Sequence, residues 1–233
     1  MLHEVNRTGE EPDPTRVVRG ALGDSVFAST YSERMYRLRY EVFHERLRWD
    51  VTTLDGLEYD RFDDTDSVYM LTTGPNDSVS GGWRLRPTTQ GYMLRDVFPQ
   101  LLNGHPAPED PGVWEISRFA VDAGSGERSG ALSLSRSARA LFIDAWKFAA
   151  QHGIYRYVLV TTLALERLLV ASGLRLQRFG PPVRMGRCMA VACWVDLDAH
   201  TQRALLLDPV PGEARPVFEL REEQAAEAAR TDD

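Results

Sequence analysis

The stretch VWEISRFAV at Val113–Val121 predicts a β-strand at the centre of the domain, because side chains of different polarity alternate along most of it. Burying an unpaired charge is costly, so Glu115 and Arg118 each need a partner. Two interpretations are open: a half-solvated strand with a diagonal ion pair, or a polar cleft on the sheet with Glu115 as a candidate base. The alternation predicts which side chains share a side: Trp114, Ile116 and Ala120 on one, and Glu115, Ser117 and Phe119 on the other.

Helical and strand-like segments alternate on both sides of this strand. Helices are predicted from Ser32, as the N-cap, to Arg46, around 94–102, and over 131–152, 163–172, 200–206 and 218–230. A hairpin is predicted over 67–85, and further strands over 155–162 and 189–197. This order predicts a single α/β domain, in which helices cover both faces of a mixed, twisted sheet.

The ends of the chain differ in composition from its middle. Residues 1–20 are polar and contain two prolines, and we expect them to be a loosely held lead-in to a domain that spans 1–208. Residues 209–233 are predicted to be a charged C-terminal tail. Residues 47–66 are acidic but carry three aromatic side chains, which predicts a long, ordered loop.

Composition limits the classes of function. A 233-residue chain with 43% hydrophobic and 26% charged residues is typical of a globular protein, and no apolar run approaches the ~20 residues of a membrane span. The formal net charge of −7 argues against a general nucleic-acid binder. The N-terminus does not resemble a signal peptide, and Cys188 and Cys193 are poorly spaced for a disulfide. We therefore expect a cytoplasmic protein.

Several short motifs follow one another along the chain. They are Arg-Leu-Arg-Trp at 46–49, Asp-Gly-Leu-Glu-Tyr-Asp at 55–60, Val-Phe-Pro at 97–99 and Glu-Ile-Ser-Arg-Phe at 115–119. In this order and spacing, the region from about 37 to 173 resembles the acyl-homoserine lactone synthases, the autoinducer synthases of bacterial quorum sensing. The signature residues of that family fall on eight residues of the expected type: Arg39, Phe43, Trp49, Asp60, Asp63, Arg84, Glu115 and Arg118.

The resemblance implies an N-acetyltransferase-like fold and a reaction between two substrates. The α-amine of S-adenosylmethionine would attack an acyl thioester, carried by acyl carrier protein or by coenzyme A. The methionine carboxylate would then close on its own γ-carbon, releasing methylthioadenosine and leaving an N-acyl-L-homoserine lactone. S-adenosylmethionine would be a substrate, so no metal or other cofactor is expected, and neither nucleic acid nor membrane is an expected partner.

The residue types suit this chemistry. Glu115 is the candidate base for the amine, with Arg118 beside it, although Glu115 could instead only pair with an arginine. Arg39 or Arg118 could hold the carboxylate in a bidentate pair. Asp60 and Asp63 are expected to complement the cationic groups, or else to cap the loop, and Asp63 is expected to be an exposed loop acid. Phe43 and Trp49 would offer ring faces or pack in the core, and Arg84 would bind the substrate or tie the loop to the sheet.

The acyl chain needs an apolar slot. Leu159, Thr161, Leu165 and Leu169 are the candidates, although ordinary core packing is the alternative for each of them. Leu159 stands where members that make 3-oxo products often have a threonine, so the resemblance implies an acyl group without that 3-oxo oxygen.

Two rival functions are weighed against lactone synthesis. The first is another acyltransferase of the same fold. Such enzymes commonly bind pyrophosphate with Arg/Gln-x-x-Gly-x-Gly/Ala at a helix N-terminus, and the nearest stretch, 127–132, lacks both end positions. The second rival is a catalytically inactive relative that binds acyl carrier protein. The presence of all eight signature residues argues against a catalytically inactive relative.

Overall fold

A computed structural model describes residues 15–122 and 134–205 of the chain. Its centre is an eight-stranded mixed sheet with the strand order β1-β4-β5-β6-β7-β10-β8, in which β9 also pairs with β10. Only β6 and β7 run parallel among the paired strands of this sheet. Its strands are β1 (Arg16–Gly20), β4 (Val68–Thr73), β5 (Val79–Pro87), β6 (Val113–Val121), β7 (Arg156–Thr162), β8 (Gln177–Arg178), β9 (Val183–Met185) and β10 (Cys188–Asp196). A separate two-stranded hairpin consists of β2 (Thr53–Leu54) and β3 (Leu57–Glu58).

Helices lie on both faces of the sheet, which confirms the predicted fold class. They are α1 (Ser25–Arg39), continued by a π-helix (Tyr40–Arg46), then α2 (Met93–Asp96), α3 (Arg136–His152), α4 (Leu163–Ala171) and α5 (Ala199–Ala204), with 3₁₀ turns at Pro75–Asp77 and Pro99–Leu102. The side chains of α1 pack with β1 and β4 on one face, and those of α3 and α4 pack on the other. Leu141 and Leu169 lie in the core of that second face.

The structure differs from the sequence prediction near the N-terminus. Residues 16–20 are not loosely held, because they form β1 at the edge of the sheet, paired with β4. The first helix begins at Ser25 rather than after Ser32, since the carboxylate of Asp24 accepts hydrogen bonds from the N–H groups of Val26 and Phe27. Ser32 lies within the helix and donates to the carbonyl of Ala28.

A β-bulge in β6 changes which side chains share a face. Gly82 pairs with Ala120 but Arg84 pairs with Ser117, so Trp83 lies opposite two residues. Arg118, one of these two, has φ 56°. Beyond the bulge the alternation reverses: Phe119 packs on the face that holds Trp114 and Ile116, while Ala120 packs against the α1 face. The predicted faces of these two residues were therefore wrong, because the prediction assumed an uninterrupted strand.

Other predicted segments agree with the structure. The hairpin, β6, β7, α4, β10 and α5 lie within a few residues of their predicted bounds. Both cysteines are free and lie on β10. The predicted helix at 218–230 and the tail at 209–233 lie outside the described residues, as does the first part of the helix predicted over 131–152. Within the described ranges, no helix is long and apolar enough to cross a membrane.

A methyl group at Gly82, which pairs with Ala120 beside the bulge, should destabilise the fold because the neighbouring strand β4 leaves no space for it. A Cβ there would lie 2.5 Å from Cδ2 of Leu71, which is fully buried, and 3.1 Å from the carbonyl oxygen of Met70. We expect Gly82→Ala to lower the free energy of unfolding by roughly 1–3 kcal/mol, measured by denaturant titration. Gly23→Ala is the control, since its Cβ would make an ordinary contact at 3.6 Å. Equal stability of the two variants would contradict this account of the close packing between Gly82 and β4.

Candidate active site

Two buried arginines, one partly buried arginine and three carboxylates form one ion-pair network beside the bulge. Arg39 comes from the end of α1, Arg84 from β5 and Arg118 from β6. The carboxylates are those of Glu58, Asp60 and Asp63, from β3 and the loop that follows it. Three positive and three negative charges balance, which is what burial of this many ionised groups requires. We call these six residues the charge network.

Arg39 and Asp63 form a fully enclosed pair within the network. Arg39 donates through Nε to Glu58 at 2.5 Å, and through its two terminal nitrogens to the two oxygens of Asp63 at 2.8 and 2.9 Å. Asp63 also accepts from the hydroxyl of Tyr69 and from the backbone N–H of Asp60. Both side chains are 2% exposed. Each of the three guanidinium nitrogens of Arg39 thus donates to a carboxylate within the protein, and the predicted exposure of Asp63 was wrong.

Arg84 is equally saturated, whereas Arg118 is not. Arg84 forms a bidentate pair with Asp60 at 2.6 and 3.0 Å, and it also contacts Asp63 and the hydroxyl of Ser117. Arg118 binds Glu58 and Asp60, but among the described residues its Nη1 contacts only the thioether sulfur of Met93, a weak acceptor. Its side chain is 12% exposed and that of Asp60 is 14%, against 0% for Arg84. Arg118 and Asp60 are therefore the members that a ligand can reach.

Local backbone geometry brings the acids to the arginines. Asp55 and Gly56 form the turn between β2 and β3 with φ of 51° and 75°, and the turn places Glu58 against the end of α1. Two residues later the chain turns again, where Asp60 accepts from the N–H of Phe62 and Asp63 accepts from the N–H of Asp60. Both aspartates thus cap the loop as well as pairing with arginines. The loop-capping interpretation is confirmed, whereas the role of these acids towards the cationic groups of the substrate stays a prediction.

Aromatic rings border the network on one side. Phe43 lies on the π-helix and stacks on Trp49, with ring centroids 5.4 Å apart and an interplanar angle of 9°. The guanidinium of Arg118 lies 5.6 Å from the centroid of Phe43. Phe43 is buried, while Trp49 is half-buried. Trp49 is therefore the ring that retains an accessible surface next to Arg118.

Glu115 lies apart from the charge network. Its two carboxylate oxygens accept the N–H groups of Met93 and Leu94, at 3.0 and 2.7 Å, at the start of α2. Burial raises its pKa to about 7, partly opposed by these two N–H groups. The diagonal pair with Arg118 does not form, since Arg118 binds Glu58 and Asp60 instead. Glu115 thus fixes Met93, which touches Arg118 through its sulfur.

The network changes the ionisation of its members. Although burial opposes it, the guanidinium groups of Arg39 and Arg84 hold the pKa of Asp63 well below its ordinary value. Burial raises the pKa of Tyr69, and the neighbouring carboxylate of Asp63 raises it further. The pKa of Arg118 is lowered, because burial outweighs its two carboxylates. The pKa of Asp60 is also lowered and the pKa values of Arg39 and Arg84 are raised, so these three groups and Asp63 remain ionised at neutral pH.

An apolar cleft begins where β6 and β7 separate. Their parallel pairing ends at Ile116 and Leu159, just before the bulge. The empty volume of the cleft, which is open to solvent, is about 560 Å³. Its walls include all four residues predicted for the acyl slot, and they also include Ser117 and Arg118, so the cleft adjoins the charge network. The predicted wall residues are Leu159, Thr161, Leu165 and Leu169.

The structure brings most of the predicted site residues together, with some additions. Arg39, Phe43, Trp49, Asp60, Asp63, Arg84 and Arg118 all meet around the network. Glu58 was missed, although it lies in the quoted motif at 55–60 and is fully buried. Several aromatic and aliphatic walls of the cleft were also missed: Trp83, Phe119, Phe142, Leu174, Leu176 and Val195. Nothing in their local sequence separates them from ordinary core residues.

Comparison with known proteins assigns the family. The family profile described as autoinducer synthase matches residues 24–205. The chain belongs to the autoinducer synthase family. An acyl-homoserine-lactone synthase of Pseudomonas aeruginosa is 39% identical over 173 residues, which cover 73% of this chain and 85% of that protein. The crystal structure of the AHL synthase LasI is 36% identical, with a TM-score of 0.73, and the match covers 82% of this chain and 94% of LasI.

Two further structures place this autoinducer synthase among wider relatives. A coenzyme A-dependent acyl-homoserine lactone synthase, BjaI, solved with S-adenosylmethionine and isopentyl-coenzyme A, is 26% identical with a TM-score of 0.71, and the match covers 84% of this chain and 92% of BjaI. An N-acetyltransferase described as putative, from Lactobacillus plantarum, has a TM-score of 0.51 at 14% identity, over 80% of this chain and all of that one. The second comparison concerns the fold alone and confirms that the fold is N-acetyltransferase-like.

Asp63→Asn should destabilise the synthase, contrary to what an exposed position would predict. Because the pKa of Asp63 is lowered on folding, its ionisation stabilises the folded state fully above about pH 4, and this contribution is lost as the pH falls further. Breaking a buried pair costs roughly 3–5 kcal/mol, or about 6–20 °C in Tm for a chain of this size. Calorimetry at pH 7 measures the loss.

The matched control is Asp66→Asn, which removes an exposed acid of the same loop. It should leave Tm within about 2 °C. If Asp63→Asn and Asp66→Asn had the same Tm, the charge network would contribute little to the stability of the fold.

Proposed function

We propose that the charge network and the aromatic pair bind S-adenosylmethionine, and that the apolar cleft binds the acyl chain of the second substrate. The enzyme is an acyltransferase of the autoinducer synthase family. Its reaction is the synthesis of an N-acyl-L-homoserine lactone from S-adenosylmethionine and an acyl thioester, with release of methylthioadenosine. The observation that carries the assignment of the two half-sites is that Arg118 belongs to both the charge network and the cleft wall.

Arg118 and Asp60 suit the two charged ends of the amino acid moiety. Arg118 has donor capacity that Met93 does not satisfy, so it can bind the carboxylate. Asp60 has the most exposed carboxylate of the three and can accept from the ammonium. The exposed part of Trp49 can face the sulfonium. The other four members of the charge network hold Arg118 and Asp60 in place and balance their charges. They are Arg39, Arg84, Glu58 and Asp63.

The chemistry requires a neutral amine beside the thioester carbonyl. Since an ammonium cannot attack, a proton must leave near neutral pH, and Glu115 remains the proposed acceptor. Its pKa of about 7 suits this role. Its carboxylate is enclosed by α2, so the proton would travel through water. The competing role is to position Met93, and through it Arg118.

The acyl donor is proposed to be a thioester of acyl carrier protein or of coenzyme A. Both carriers are anionic. Arg175 lies between Leu174 and Leu176, which line the cleft, and exposed Arg184 and Arg187 follow in the same segment. These arginines provide positive charge for either carrier.

Product analysis tests the assignment. The protein is incubated with S-adenosylmethionine and octanoyl thioesters, one carried by coenzyme A and one by acyl carrier protein. Mass spectrometry should find methylthioadenosine and N-octanoyl-homoserine lactone in at least one mixture. Release of free thiol without methylthioadenosine would indicate another acyltransferase. The absence of both products, together with binding of acyl carrier protein, would indicate an inactive relative.

Arg118→Lys and Arg84→Lys should separate substrate binding from folding. Lysine keeps the charge but cannot form the bidentate pair. At the more exposed Arg118 the loss of one charge-assisted hydrogen bond, about 1.5–3 kcal/mol, should raise KM for S-adenosylmethionine roughly 10- to 150-fold. Arg84→Lys loses several buried bonds and should mainly lower Tm. Initial rates and melting curves check both, and the opposite pattern would exclude Arg118 as the carboxylate-binding group.

Glu115→Gln tests the proposed base. If Glu115 accepts the proton, the acylation rate of the parent enzyme should rise with an apparent pKa near 7. The variant should fold and be about 10²–10⁴-fold slower, and higher pH should partly restore its rate, because more of the amine is then neutral. Pre-steady-state acyl transfer from about pH 6.5 to 9 measures this. Glu109→Gln, at an exposed acid, is the control.

A positioning role predicts different behaviour. The Glu115→Gln variant would then have a lower Tm than the parent enzyme, and its acylation rate would not rise at higher pH. The raised pKa of Glu115 also affects the stability of the parent protein. The protonated carboxyl favours the folded state, because ionising it in its buried position costs free energy. This stabilising contribution is fully present below about pH 4 and is lost as the pH rises towards 7. An unchanged acylation rate across the range would remove Glu115 from the mechanism.

A further inference from the structure

The guanidinium group of Arg118 has partners of two different strengths. Its Nε donates to Glu58 at 3.0 Å, and its Nη2 lies 3.0 Å from Glu58 and 2.6 Å from Asp60. Among the described residues, its third nitrogen, Nη1, contacts only the sulfur of Met93, at 3.2 Å. Because a thioether accepts hydrogen bonds weakly, the described part of the chain gives Nη1 no strong acceptor.

The backbone of Met93 is fixed by hydrogen bonds that do not involve its sulfur. Its N–H donates to Glu115 at 3.0 Å, and its carbonyl accepts from the N–H groups of Val97 and Phe98 at 2.8 and 3.0 Å. The residue is 6% exposed, so water has little access to its contact with Arg118. The side chain of Met93 can therefore be changed without removing the bonds that hold α2 in place.

The partner that Nη1 requires changes during the proposed reaction. The carboxylate of bound S-adenosylmethionine is anionic and is a much stronger acceptor than a thioether. In ring closure, one oxygen of this carboxylate forms a bond to the γ-carbon, while the bond between that carbon and the sulfonium breaks. The electron pair of the broken bond neutralises the sulfur, which leaves in methylthioadenosine. Arg118 thereby loses its anionic partner, because the lactone is neutral.

We propose that Met93 is a positioning residue whose sulfur exchanges with the substrate carboxylate at Nη1 of Arg118. Before substrate binds, the thioether contacts Nη1 without competing strongly for it. During ring closure, the sulfur accepts the N–H again as the carboxylate loses its charge. This role rests on the proposed function of Arg118 and extends it from substrate binding to the second step of the reaction.

The weakness of the thioether as an acceptor suits both steps. A strong acceptor at residue 93 would compete with the carboxylate and would weaken the binding of S-adenosylmethionine. An aliphatic side chain would leave a charged N–H group unpaired once the carboxylate has reacted, and this would slow ring closure. A thioether avoids both effects, because it pairs with the N–H but is easily replaced by an anion.

Two variants of Met93 test the two effects separately. Met93→Leu keeps a similar volume but removes the acceptor, whereas Met93→Gln keeps an unbranched chain and supplies an amide oxygen. In single-turnover reactions with an octanoyl thioester, release of free thiol measures acylation and release of methylthioadenosine measures ring closure. We expect Met93→Leu to slow only the second release, roughly three- to tenfold, so that acylated S-adenosylmethionine accumulates and is detected by mass spectrometry.

Met93→Gln should instead raise KM for S-adenosylmethionine roughly three- to tenfold, with both rates at saturating substrate equal to those of the parent. Met185→Leu and Met185→Gln are the matched controls. The sulfur of Met185 also accepts from a side-chain N–H, that of Gln100 at 3.4 Å, but Met185 belongs to neither the charge network nor the cleft wall. Both controls should keep the KM and the two rates of the parent.

The possible failures are distinguishable. Parental KM and parental rates in both Met93 variants would overturn the inference and leave lactone synthesis intact. An equal slowing of thiol and methylthioadenosine release in both variants, with a lower Tm, would also overturn it, because Met93 would then only support the fold. If the parent enzyme forms no methylthioadenosine from any thioester, the proposed function itself fails, and this inference fails with it.

Discussion

Charge balance between Arg39, Arg84 and Arg118 and the carboxylates of Glu58, Asp60 and Asp63 is the constraint on which the site depends. Any one of these groups would be expensive to bury alone. Together they satisfy nearly every donor and acceptor, and they tie α1, the loop after β3, β5 and β6 into one unit. Such a network holds its exposed members in place before a substrate arrives, which lowers the ordering cost of binding.

The bulge in β6 joins this polar unit to the apolar cleft. It inserts one residue opposite Trp83, so that Arg118 belongs to the charge network while Phe119 turns to the opposite face. It also coincides with the end of the pairing between β6 and β7, which leaves space beside Leu159 and Thr161. One local irregularity thus places a charged group beside an apolar wall, where the proposed function requires the amine and the thioester to meet.

The parts of the fold that follow from local patterns could be predicted from sequence. The hairpin, the central strand and α3 have clear periodicity, and the motifs carried by Arg39, Asp60 and Arg118 indicated the family. The start of α1, the strand β1 and the bulge could not be predicted, because each depends on partners that are distant in sequence. Glu58 and Trp83 were missed for a similar reason: a buried carboxylate and a cleft-lining tryptophan are recognised only by what surrounds them.

The two half-sites come from different parts of the chain, and this has a consequence for synthesis on the ribosome. All six charged residues of the network lie before Asp122, whereas much of the cleft wall lies between Phe142 and Val195. A nascent chain therefore contains the complete set of ionic groups before β7, the parallel neighbour of β6, has been translated. At typical rates of 5–20 residues per second, that interval lasts on the order of seconds. During it, water rather than protein must solvate any of these charges that have not yet met their partners.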